Sequence, residues 1–250
     1  MPKLATTKVD GVARCARYAF GPNRLHLCGP DANSEVLAYL KAGVTDPGLE
    51  SLLRKFGTLY PYLLHIARAN NIADPFDARV VEAYWIGNEL LETIPLQVFY
   101  RHLVDSLRLK ARGPKMQFNT LEAKLPRGAR MHHSFHVLNV YERTGHDQSL
   151  HTLESIDACR VSWGRIDKIE GGKIIVWRQP LKLEAGKLSL GEEELFTVTR
   201  RLEDDFMEGP KVGDIITMHW QVPCEVVTQN NVRWLEKYTR QHLALANQTL

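Results

Sequence analysis

Apolar residues recur at three- and four-residue spacing through the first half of the chain, then at two-residue spacing in short runs divided by glycine. This change of period predicts a helical region followed by a strand region. The helical expectations are Val12 to Phe20, a segment capped by Asp31 or Asn33 and ended at Gly43, Leu49 to Phe56, Pro61 to Asn70, Pro75 to Glu92, and Pro95 to Leu109. Together they read as a bundle of short helices. Met131 to Tyr141 alternates like a strand and is rich in β-favouring Val137, Val140 and Tyr141.

From Cys159 the runs shorten. Cys159 to Ile169 and Gly172 to Arg178 predict a hairpin through Glu170-Gly171-Gly172, followed by strands at Leu181 to Leu183, Lys187 to Leu190, Glu194 to Arg201 and Lys211 to Trp220. Short strands with Gly-containing turns predict a small β-barrel. Thr228 then caps a terminal helix whose inward face is Val232, Leu235, Tyr238, His242 and Ala246. The fold class expected is α+β: an N-terminal helical bundle over residues 1–125, a strand and connecting segment over 126–156, and a small β-barrel with a C-terminal helix over 157–250.

Composition narrows the function classes without choosing one. A hydrophobic fraction of 44% and a charged fraction of 24% belong to an ordinary globular chain. The formal net charge of +3 and the acidic run Glu192 to Glu194 speak against nucleic acid as a partner, although Trp163, Arg165, Trp177 and Arg178 have the right chemistry for it. No apolar run is long enough to span a bilayer, and the first residues lack the apolar core of a secretory signal. A cytoplasmic location with no membrane partner is therefore expected.

The chemistry-bearing residues are cysteines and histidines. Cys15, Cys28, Cys159 and Cys224 are expected as free thiols, since a chain with this apolar supply does not depend on disulfides. His26-x-Cys28 lies in a loop between Gly21-Pro22 and Gly29-Pro30, where two donors could share one side for zinc or iron. The cluster His132-His133-Ser134-Phe135-His136 is the obvious metal candidate; as a strand it puts His133 on one face and the pair His132 and His136 on the other. In a strand that pair stands ~13 Å apart along the backbone and chelates one ion only if the segment is helical or bent. Glu82 and Glu89 can share a helix face, but such a pair is more often solvated surface.

Cys159-x-x-x-x-Gly164-x-Ile166-x-x-Ile169-x-Gly171, followed by Val212-Gly213-Asp214-x-x-x-x-His219 and a terminal helix, resembles the small nickel-iron hydrogenase assembly chaperones. The resemblance covers about Asp157 to Ala246. It implies a short barrel in which Cys159 matches the iron-binding cysteine and His219 the helping histidine. The pair would hold an iron centre bearing cyanide and carbonyl ligands before its transfer, and the implied partners are the metalloenzyme large subunit or other maturation proteins. The implied function is hydrogenase maturation as a metal-binding chaperone, with Cys224 as an alternative thiol. A second reading is a metal-dependent enzyme, using iron or zinc at a His/Cys site between the two units and needing at least three protein ligands to converge. The segments ARYAFGPN at 16–23 and VVEAYWIGN at 80–88 resemble uncharacterised bacterial proteins and imply no activity.

Overall fold

The computed structural model describes residues 9–112, 115–141, 151–199 and 209–249. It is α+β. The helices are α1 (Gly11–Asn23), α2 (Asn33–Ala42), α3 (Pro47–Arg54), α4 (Leu59–Ala69), α5 (Ala78–Trp85), α6 (Leu96–Arg101), α7 (Leu109–Arg112), α8 (Lys115–Lys124), α9 (His133–Phe135), α10 (Leu153–Cys159) and α11 (Gln229–Ala246). The strands are β1 (Ser162–Glu170), β2 (Lys173–Arg178), β3 (Leu181–Glu184), β4 (Lys187–Leu190), β5 (Glu194–Thr199), β6 (Ile215–His219) and β7 (Val222–Val227).

Local chemistry accounts for the helix ends. Asp10, Asp46 and Asp77 each accept a backbone N–H at the start of α1, α3 and α5, and Gly43 closes α2 in the left-handed region at φ 62°. The long helix expected from Pro75 to Glu92 is shorter, because Gly87 turns the chain at φ 101° and Asn88 starts a separate 3-10 turn. A Cβ on Gly87 would meet the Tyr238 ring at 2.5 Å, so α11 crosses at this point.

Five strands form an antiparallel sheet in the order β5-β2-β1-β6-β7, and β3 and β4 form a separate two-stranded ribbon. Among the described residues no ladder joins the edge strands β5 and β7, so the sheet is open where a closed barrel was expected. Part of the strand expected up to Arg201 lies outside the described residues.

The largest apolar core runs through both halves of the chain. It includes Cys15 and Phe20 of α1, Tyr84 and Trp85 of α5, Phe135 of α9, Cys224 of β7, and Leu235 of α11. A polar cluster reinforces this junction. Buried Arg14 donates from Nε to Glu225 at 2.8 Å and from Nη1 to Glu82 at 2.9 Å, and Tyr18 Oη donates to the same Glu225 at 2.7 Å. Glu82 is thereby half of an ion pair. Among the described residues no helix is long and apolar enough to cross a membrane.

The segment expected as a strand at Met131 to Tyr141 is helical. His132 caps the turn by accepting the Ser134 N–H at 3.1 Å, α9 follows, and residues His136–Val140 continue as a π-helix that Tyr141 ends at φ 59°. Val137, Leu138 and Val140 are buried, so tertiary packing outweighs their β preference.

A candidate metal centre

Cys159 ends α10, whose start is fixed by a reciprocal capping pair between Thr152 and Ser155. It is therefore a helix-terminal residue; β1 begins only at Ser162. His219 ends β6. Trp220 and Gln221 follow at φ 51° and 62°, giving a two-residue hairpin turn into β7 without glycine.

Two features carry the β6–β7 turn to α10. Ser162 pairs with Met218 across β1 and β6, and the Trp220 N–H donates to Ala158 O at 2.7 Å. Residues distant in sequence thus become neighbours. α9 adds His133, whose Nε2 lies 2.8 Å from the Cys159 carbonyl.

One donor atom from each of His133, Cys159 and His219 lies within 4.8 Å of the others, the only such group found among the described residues. Metal bonds of ~2.0–2.3 Å put two ligands of one ion up to ~4.5 Å apart, so a small tightening lets all three reach a single metal. All are buried, with 6%, 9% and 1% of their surfaces exposed in chain order.

Hydrogen bonding sets which nitrogens are available. A carbonyl only accepts, so His219 Nδ1 donates to Tyr18 O at 2.6 Å, and its Nε2 carries the lone pair. That Nε2 is buried and makes no well-formed hydrogen bond, although the Cys159 backbone lies near enough to the ring to favour its charged form against burial. An imidazole held by a backbone carbonyl on one nitrogen, with its other lone pair open, is oriented as a metal ligand. By the same reasoning His133 donates from Nε2 to Cys159 O, and its Nδ1 accepts from Tyr84 Oη at 3.2 Å.

Burial lowers the pKa of His219 to about 4. For His133 burial is again the main cause, with the nearby His219 adding to it, and the value falls well below the ordinary one. Both rings are neutral near pH 7 and their lone pairs need no proton release. Trp85 lies against both, its ring centroid 4.5 Å from His133 and 5.2 Å from His219. Gly21 makes room from the other side: a Cβ there would stand 2.5 Å from His219 O.

The three donors open on a cavity of about 40 Å³ whose wall includes Cys28, Phe56, Leu59, Trp85 and His136. That volume holds one or two water-sized groups beside a metal.

The other expected ligands sit elsewhere. His132 lies away from this group although its segment is helical: its ring stacks on Tyr238 and its Nδ1 is 2.7 Å from Ser134 Oγ, in a chain that continues to His242 Nδ1. His136 lines the cavity but packs edge-on to Tyr62 and is outside the donor group. Cys28 also lines the cavity, whereas His26 is nearly half exposed and pairs with Asp31 at 3.1 Å. Cys224 is buried behind the β6–β7 turn, its thiol directed at Val222 O at 3.4 Å, and burial raises its pKa well above the ordinary thiol value. None of the four cysteines is in a disulfide.

His133 belongs to the histidine cluster but is not among the ligands expected from the sequence. Read as a strand, its segment puts it on the face opposite His132 and His136, and no spacing rule links it to Cys159 or His219.

The chain belongs to a family of unknown function, DUF6390, whose model matches residues 7–250. No curated protein and no solved structure matches it.

Proposed function

We propose that this chain is an assembly or carrier protein for a metalloenzyme iron centre, acting in nickel-iron hydrogenase maturation, with Cys159, His219 and His133 holding the iron. The observation that carries the reading is the meeting of those three donors, from segments far apart in sequence, within 4.8 Å in a buried site. A thiolate and two neutral imidazoles form a mixed soft and borderline set suited to iron, with zinc as the alternative.

The cavity of about 40 Å³ beside the donors supports cargo iron with cyanide- or carbonyl-sized ligands rather than an organic substrate. Three protein ligands leave coordination positions for such groups and for transfer to a receiving large subunit. The strand unit would act as the small barrel-like platform of the chaperones it resembles, with the helices covering the iron.

The third protein donor also favours a second reading, a metal-dependent enzyme with a resident ion and an open position for a small substrate. Anaerobic co-production with hydrogenase maturation proteins, followed by metal analysis and infrared spectroscopy, separates the two. The carrier reading expects about one iron per chain with cyanide and carbonyl bands, both lost in Cys159→Ala. Retained metal without those bands would favour the enzyme. Absence of bound metal, with Cys159→Ala indistinguishable from the parent, would refute both.

A further inference from the structure

The same cavity has a second thiol in its wall. Cys28 lies in the loop after α1 and is half-buried, whereas His133, Cys159 and His219 are all buried. It is not one of the donors lying within 4.8 Å of one another, so it does not complete their coordination set as the chain stands. Cys28 therefore has the chemistry of a ligand and a more exposed place on the same cavity wall than the three donors.

The loop is built to hold that position. The buried Asn23 side chain donates from Nδ2 to the carbonyl oxygens of Cys28 at 3.0 Å and Pro30 at 2.7 Å, and the Leu27 N–H donates to Pro22 O at 3.0 Å. Gly29 takes φ 84° and packs so closely on the Phe56 ring that a Cβ would stand 2.2 Å from it. Phe56 is itself part of the cavity wall, so this contact ties the Cys28 loop to the cavity. His26 cannot share the role, since its φ of 56° and its pairing with Asp31 take it to the exposed side of the loop.

Building on the iron-carrier reading, we propose that Cys28 is the entry and exit ligand of the site: a divalent metal ion binds its thiolate first, then passes to Cys159 and the two histidines. Stripping a hydrated ion of all its water in one step is costly. A donor on the more exposed part of the wall divides that cost, and a second sulfur matches the softness of Cys159. The exchange is redox-neutral: each metal–water or metal–sulfur bond broken is replaced by a bond to the next donor, and the Cys28 thiolate regains a proton from solvent as the metal leaves it.

The test uses the full chain and Co(II), whose sulfur-to-metal charge-transfer absorbance reports thiolate ligands, followed anaerobically by stopped flow. Cys28→Ser is expected to slow uptake and chelator-driven release at least tenfold while leaving final stoichiometry and final spectrum unchanged. Cys28→His, which keeps a donor, is expected to restore most of the rate, and Cys28→Ala serves if the serine variant does not fold. Unaltered rates in folded Cys28→Ser or Cys28→Ala would overturn the entry role, as would loss of equilibrium binding, which would make Cys28 a resident ligand. Failure of the iron-carrier reading looks different: the parent protein would then bind no metal, or Cys159→Ala and His219→Ala would bind it as well as the parent.

Discussion

Acid should destabilise this fold more than its modest charge suggests, because its buried histidines are held neutral. His102, His132, His133, His219 and His242 all have lowered pKa values with burial as the main cause. Such groups cost nothing above the ordinary value of 6.5, where they are neutral in both states. Below it the unfolded chain takes up protons that the folded chain refuses, so stability falls with pH until the folded value is reached. For His219, at about 4 when folded, the loss between pH 7 and pH 5 is ~2 kcal/mol, and His132, at about 3, adds ~2 kcal/mol more. The other three act in the same direction. A loss of at least ~4 kcal/mol is a large part of the ~5–15 kcal/mol typical of a folded domain. Urea unfolding of the metal-free protein at pH 7 and pH 5 measures it. His132→Phe, which keeps an aromatic ring against Tyr238, should remove ~2 kcal/mol of the pH dependence. A loss below ~1 kcal/mol in the parent would show that the histidines do not stay neutral on burial, and the picture of proton-free ligands near pH 7 would fall with it.

Three further outcomes follow from individual contacts. Gly21→Ala forces a methyl group against His219 O and should weaken Co(II) binding at least tenfold in a competition titration; unchanged affinity would mean the β6–β7 turn is free to shift. Tyr84→Phe removes the hydroxyl that competes for His133 Nδ1. It should cost ~1 kcal/mol of stability yet tighten metal binding severalfold, and a tenfold weakening would instead place the hydroxyl among the useful contacts. Asp157→Ala should cost ~3–5 kcal/mol in thermal unfolding, since its carboxylate accepts from Arg160 Nε and Arg178 Nη2, each at 2.8 Å, and both guanidinium groups are buried. A change below ~1 kcal/mol would show that water reaches those charges.

The amino-acid pattern by itself determined most of the helices, the short strands and the capped terminal helix, because these depend on local periodicity, turn residues and caps such as Asp46 and Thr228. It also singled out Cys159 and His219, although on a resemblance rather than on any spacing rule. Tertiary structure decided the rest. The stretch from Met131 to Tyr141 looks like a strand in its β-branched residues, yet burial of both its faces and the His132 cap make it helical. That change gives His133, rather than His132 or His136, to the site. The meeting of His133 with Cys159 and His219 depends on the Trp220–Ala158 and His133–Cys159 hydrogen bonds, which join α10 to the β6–β7 turn and to α9. Periodicity can say which face a residue occupies; only packing brings three faces to one ion.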